Sequence, residues 1–376
     1  MAFIEYLSEH VIYENPRPHV HSRHGYFPGL VRLPDSGELL CTFVMAEAFE
    51  APNGTTWISR SADDGKTWQL QGPLYDKSVL GFETTDALKI TRLRNGTLVA
   101  MGYRFHRHDL EQAIAIPETG GIQPGDDIIC FSRDEGRSWT EPKCIPTSRP
   151  ELLEISGPCL ESAAGDLVAV SAPYKLPDGT NPSGQLGILL RSPDDGQTWD
   201  DRTVFFRARG GNMTPLEARI CEMQPGRLVA MTWAYDYAAD QHRPNHVVVS
   251  HDNGRTWCEP IDTGHLGQAS SVIWLGGDLL ATIHAHRGPA DFGLFVRVVD
   301  FAADRWRVVG ERMIWDGSPS GQSGEARPMA DMFKALRFGQ PSLTKVARDE
   351  YLAAHWAVED GQGRIRAHRL RIQNAA

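Results

Sequence analysis

The chain has 376 residues, with 48 acidic against 38 basic side chains and a formal charge of −10. That balance argues against a nucleic-acid partner, which wants a basic surface, and no apolar run is long enough to span a bilayer. The opening Met1-Ala-Phe-Ile-Glu-Tyr-Leu-Ser-Glu-His10 lacks the basic and apolar regions of a signal peptide. Cys41, Cys130, Cys144, Cys159, Cys221 and Cys258 are scattered, with no Cys-x-x-Cys. A cytoplasmic location is the expectation.

The first strand-like run is His10-Val-Ile-Tyr-Glu14. A unit then begins that recurs along the chain: an apolar strand, a turn, a second apolar strand. It is seen at Gly29 to Leu40, Leu88 to Val99, Pro158 to Val168 and Ala218 to Val229. Weaker copies follow at Ser271 to Leu280 and Pro341 to Leu352. Length alone would suggest two domains or more. A repeat instead builds one continuous body, so a single domain over residues 1–376 is expected.

Each of the first four units is followed by another β-rich run and a turn of the form Ser-x-Asp-x-Gly-x-x-Trp. The copies are Ser61 to Trp68, Ser132 to Trp139, Ser192 to Trp199 and Ser250 to Trp257. The chemistry suits a tight hairpin. The Asp accepts bonds from the turn's own backbone, the Gly takes a positive φ, and the Trp tucks an apolar ring beneath. Asp300-Phe-Ala-Ala-Asp-Arg-Trp306 reads as a decayed fifth copy. Met329 to Leu336 alone carries a helical period. The sixth unit has only three strands, Ser342 to Val346, Tyr351 to Val358 and Gly363 to Ile372. Pairing with His10 to Glu14 would supply a fourth and remove two open edges.

The repeated turn is the Asp-box, and the chain resembles the sialidase (neuraminidase) superfamily over essentially its whole length. The resemblance implies an all-β, six-bladed β-propeller whose last blade is closed by the N-terminal strand. It also puts the boxes on outer turns, away from any chemistry.

In such a ring the inner strands line a central channel. Aligning them puts Tyr26, Asp86, Glu154, Glu217 (or Leu216), Gln268 and Gln340 there. Clustered carboxylates push their pKa values apart, which suits acid–base work. Sialidases grip a carboxylate with three arginines and attack with a Tyr assisted by a Glu. By that resemblance Glu217 matches the Glu, Tyr26 replaces the first arginine, and another is replaced near Thr232 and Trp233. Gln340 falls where the Tyr should be, and Glu50 lies in a segment like the family's acidic one. Fold and one carboxylate carry over; arginine grip and nucleophile do not, so sialidase activity is not expected.

The expected activity is hydrolysis of a small oligosaccharide or glycoside. Glu217, Asp86, Glu154 and Glu50 are the acid–base candidates. Tyr26, Arg104, His106, Trp233, Gln268, His284, His286, Arg287, Arg327 and Gln340 are candidate sugar contacts, because aromatic faces stack on sugar CH groups and polar groups take the hydroxyls. Two alternatives stay open: a uronate lyase using His with Tyr or Arg, and a non-catalytic sugar-binding propeller. No cofactor is expected. His19, His21 and His24 are the weak candidates for a metal.

Overall fold

The computed structural model describes residues 2–288, 292–322 and 334–374. Six four-stranded antiparallel sheets form the blades of a β-propeller. Blade one runs outward from the channel as His24–Arg32, Leu39–Ala46, Thr55–Ser61 and Gln69–Pro73. Blade two has Thr84–Arg92, Leu98–His106, Gly125–Ser132 and Lys143–Cys144. Blade three has Leu160–Glu161, Leu167–Ser171, Gly187–Ser192 and Asp200–Phe206. Blade four has Met213–Gln224, Arg227–Asp236, Gln241–Ser250 and Ile261–Asp262. Blade five has Ser270–Gly276, Leu279–Arg287, Phe292–Asp300 and Arg307–Asp316.

Blade six is built from both ends of the chain. Phe338–Lys345, Glu350–Glu359 and Gln362–Asn374 are followed outward by Ala2–Glu14. The closing strand is longer than the run His10 to Glu14, with register from Ala2 opposite Asn374 to Glu14 opposite Arg364. Ile4, Ile12 and Tyr13 from this strand are buried, so apolar packing as well as pairing closes the ring.

Every residue of Leu39–Ala46 is buried, and the other second strands are nearly as dry. A strand between two neighbouring blades has both faces packed, so its sequence is apolar without alternation. The apolar core is accordingly divided into packing layers between successive blades.

The four repeated turns join third to fourth strands and share one geometry. In the first, Ser61 Oγ donates to Asp63 Oδ1 at 2.8 Å and accepts from the Gly65 N–H at 2.8 Å. Asp63 also accepts from the Thr67 backbone and hydroxyl, at 2.9 and 2.7 Å. Gly65 has φ 84°, and its carbonyl receives the Trp68 indole N–H at 3.0 Å. Trp139, Trp199 and Trp257 then pack against the cores shared with the preceding blades. Trp306, in the decayed copy, does the same for blade five. The turns thus staple blade to blade. The helical period expected over Met329 to Leu336 falls largely outside the described residues.

Candidate active site

Three inner strands share a departure from regular pairing. In blade one the register slips between Tyr26 and Gly29, in blade four between Leu216 and Arg219, and in blade six between Gly339 and Ser342. Each slip is a β-bulge, which re-aims a side chain at the cost of ladder bonds. The first bulged residue is Phe27, Glu217 or Gln340, with φ of 57°, 47° and 36°. A left-handed backbone costs a non-glycine residue about 1–2 kcal/mol. The three costs fall at equivalent positions of three inner strands, and strain of this kind clusters at functional sites. The alignment that put Tyr26 beside Glu217 and Gln340 is corrected by one residue, because Phe27 holds the equivalent bulge. Tyr26 is buried against Trp356 and Phe49, at ring distances of 5.1 and 5.4 Å.

Backbone carbonyls in or just before each bulge are met by a buried cation. Lys89 donates to the carbonyls of Phe27 and Pro28, the latter at 3.3 Å. Arg219 donates to the carbonyls of Glu217 and Ala218 at 2.9 and 3.0 Å, and to Ser156 Oγ at 3.2 Å. Arg287 donates twice to the Phe338 carbonyl, at 2.6 and 3.0 Å, and to Gln268 Oε1 at 2.9 Å. A Cβ on Gly339 would lie 1.8 Å from the Arg287 guanidinium, so only glycine permits that contact. Burial lowers the pKa of all three cations, Lys89 well below its ordinary value and Arg287 to about 10.

Glu217 is the hub. Its Oε1 accepts from Gln340 Nε2, its backbone N–H donates to Glu154 Oε2 at 3.1 Å, and its Oε2 is buried without a partner. Gln340 Oε1 is likewise buried and unpartnered. Glu154, from the loop entering blade three, is pushed up to about 8, first by burial and then by the charge of Glu217. Arg219 and the Glu217 N–H oppose that shift without cancelling it. Burial beside Glu217 thus favours the protonated form of Glu154. Tyr103 and Tyr174 share a hydrogen bond nearby. Burial, reinforced for Tyr174 by Tyr103 and for both by Glu154 and Glu217, holds the two phenols protonated.

The other candidates fall into separate places. Asp86 is fully buried, with Oδ1 taking Thr56 N–H and hydroxyl at 2.7 Å each and Oδ2 taking the Tyr75 hydroxyl at 2.9 Å. Lys77 lies 3.5 Å from it, so Asp86 ties blade two to blade one rather than facing a substrate. Arg104 and His106 both bond Asp126, at 2.7 and 2.9 Å. Glu50 is pushed up by burial, with Arg107 and the Ala115 N–H opposing, which ties it to the insertion of blade two. Trp233 is buried with its indole on His242 at 3.1 Å.

His284 is enclosed between Asn245 at 3.2 Å and Thr282 at 2.9 Å. His286 is 3.0 Å from Arg297 and meets the Phe295 ring edge-on. Burial lowers both histidines, His286 to about 3, and neither makes a hydrogen bond to Glu154 or Glu217. His19 and His21 are exposed and His24 packs beside Tyr26, so these three do not form a metal cluster. No other group of three His, Cys, Asp or Glu side chains suited to a metal occurs among the described residues. Arg327 lies outside the described residues.

The residues missed from sequence are Phe27, Lys89, Tyr103, Tyr174 and Arg219. Strand parity could have found Tyr103. It sits one residue from Arg104, and a one-residue step turns a side chain to the opposite face. Arg104 faces blade one; Tyr103 reaches Tyr174 of blade three.

The fold is that of the sialidases. A protein of unknown function from Dyadobacter fermentans DSM 18053 superposes with TM-score 0.75 at 19% identity, covering 98% of this chain and 99% of that one. A Hadza microbial sialidase gives 0.64 at 19% identity, over 91% of this chain and 65% of its own length. The NanB sialidase from Streptococcus pneumoniae, crystallised with 2-[(3-chlorobenzyl)ammonio]ethanesulfonate, gives 0.65 at 13%, over 98% and 70%. No protein-family model matches the sequence, and no curated protein matches it. At these identities the likeness is one of fold.

Proposed function

We propose that this protein is a carbohydrate-active enzyme, a glycoside hydrolase acting on a small oligosaccharide or glycoside. One observation carries the reading: two buried carboxyl groups meet where the Glu217 N–H donates to Glu154 Oε2, burial drives Glu154 toward its protonated form, and Glu217 Oε2 has no partner. Glycoside hydrolysis needs one carboxylic acid to protonate the leaving oxygen and one carboxylate to activate water or attack the sugar. Glu154 supplies the proton as the C–O bond breaks. Glu217 is the base or nucleophile at the anomeric carbon. Gln340 holds the Glu217 side chain, and Arg219 holds its backbone through the Glu217 and Ala218 carbonyls. The shared fold with two sialidases supports sugar as the substrate. Asp86 and Glu50 drop from the acid–base set, because each is tied elsewhere.

The test is a panel of oligosaccharides and glycosides incubated with wild type, Glu217→Gln and His284→Ala, with products read by mass and ultraviolet absorbance. Glu217→Gln keeps shape but not the titrating group, and the rate should fall by about 10²-fold or more. Unsaturated products, lighter by one water than hydrolysis requires, would replace the hydrolase with a lyase. Binding with no turnover of any sugar would replace it with a sugar-binding module.

A further inference from the structure

The way this floor handles charge narrows the substrate class, given the hydrolase reading above. We propose that the sugar ring held over Glu217 is uncharged, lies against Phe27 and donates hydroxyl hydrogen bonds to Glu217 and Gln340. It is not an acidic sugar gripped by a cluster of cations.

The first argument is where the cations are directed. Lys89, Arg219 and Arg287 surround the floor, yet each bonds backbone carbonyls in or just before a bulge. Turning one of them toward a substrate carboxylate would strip a buried carbonyl of its donor, which costs about as much as a lost hydrogen bond. It would also loosen the backbone that aims Phe27, Glu217 or Gln340.

The second argument is the kind of atom left unpartnered. Glu217 Oε2 and Gln340 Oε1 are both acceptors. The Gln340 amide is fixed in that sense because its Nε2 faces a carboxylate oxygen. Two buried acceptors call for donors, and sugar hydroxyls are donors. A ligand carboxylate brings only further acceptors and a charge of the sign that Glu217 repels.

The third argument is the remaining bulge. Phe27 is half-buried and backed by Phe49, Tyr26 and Trp356, at ring distances of 5.4, 6.0 and 6.2 Å. A supported ring beside two acceptors suits a sugar with one apolar CH face and hydroxyls on its edge. Lys89 Nζ lies 5.7 Å from the Phe27 ring centroid, held there by the Phe27 and Pro28 carbonyls, and a further cation near this wall is Arg337. It is exposed, and its charge acts on His24 and Tyr26 at the rim rather than on the Glu154–Glu217 pair.

The experiment compares aryl glycosides of neutral hexoses with matched uronosides and sialosides, using the full chain. Both kcat/KM and calorimetric binding of the free sugars are measured. Neutral substrates should exceed acidic ones by at least about tenfold in kcat/KM, a difference of about 1.4 kcal/mol. Phe27→Leu, which keeps bulk but removes the flat face, should weaken neutral-sugar binding several-fold. It should leave the pH at which activity falls on the alkaline side unchanged. Arg337→Gln should leave neutral substrates untouched. Preference for acidic sugars, lost in Arg337→Gln, would overturn the proposal while leaving the hydrolase intact. Neutral sugars bound but never cleaved, with binding weakened in Phe27→Leu, would uphold it and overturn the hydrolase instead. Unaltered binding in Phe27→Leu would overturn it outright.

Discussion

Asp134 and Glu154 are carboxylates on connections of adjacent blades, and the fold treats them oppositely. Asp134, in an outer turn, receives the Ser138 hydroxyl and backbone N–H together with the Ser132 hydroxyl, and is held at about 2. Glu154, at the channel, has lost its water and faces Glu217, and is pushed to about 8. Residue type therefore says little about role here; donors within reach set Asp134, while burial and a neighbouring charge set Glu154. Turns whose Ser and Asp side chains are saturated by their own backbone and hydroxyl donors are scaffold. A floor that leaves Glu217 Oε2 and Gln340 Oε1 unsatisfied is prepared for something else.

The sharpest way to break that contrast is to remove the proton Glu154 holds. Glu154→Gln should lower hydrolysis by about 10²-fold or more on glycosides with alkyl leaving groups. The loss should be smaller with nitrophenyl leaving groups, which depart without protonation. Thermal stability at pH 8 should not fall. An unchanged rate on alkyl glycosides would show that Glu154 is no acid in the reaction.

The complementary change strikes the periphery. Trp139 is half-buried against the core between blades one and two. Trp139→Ala should cost about 3 kcal/mol, the lower end for removing a large aromatic ring. Activity per folded molecule should be unchanged, which urea denaturation and active-site titration together would check. Lost activity with an unchanged denaturation midpoint would mean that scaffold and site are not separate.

How far the sequence reached follows the same division. The outer turns repeat because they do the same local job four times, and local chemistry is legible in eight residues. The ring closure was legible for a similar reason, since an incomplete sixth sheet and an unclaimed first strand answer one another. The floor was only half legible. Glu154, Glu217 and Gln340 could be placed by counting along strands, but counting fails at a bulge, and the error at Tyr26 is that failure. Asp86 looked equivalent to Glu154 in sequence, and only the donors from Thr56 and Tyr75 reveal a structural group. Lys89 and Arg219 carry no motif at all; their role exists only once a bulge, in the neighbouring blade for Lys89 and in its own strand for Arg219, has turned carbonyls toward them.

The smallest effect separates the two classes of carboxylate by stability alone, without any substrate. In the unfolded chain all of them return to about 4. Asp134 and Asp252 sit at about 2 when folded, so the folded state binds fewer protons than the unfolded one between these values. Their contribution is present above about pH 4 and is lost as pH falls toward 2. Glu154 has the opposite sign. Its folded value of about 8 means that the folded state keeps a proton the unfolded state has shed. Its contribution is full below about pH 4 and is lost as pH rises through 8. Glu217, Arg219, Tyr103, Tyr174 and Tyr237 are the charged or titratable groups that act with Glu154. Asp127 and Glu50, also raised, add to the alkaline slope, while His286 and His368, lowered to about 3, add to the acid one. Difference curves isolate each group. Melting temperatures of wild type and Glu154→Gln should run parallel below pH 4 and diverge in favour of the variant up to pH 8. Wild type should exceed Asp134→Asn above pH 4, and the gap should close toward pH 2. A Glu154→Gln difference that stays flat from pH 4 to 8 would mean that the fold does not hold this proton, and the acid in the proposed reaction would have to be another group.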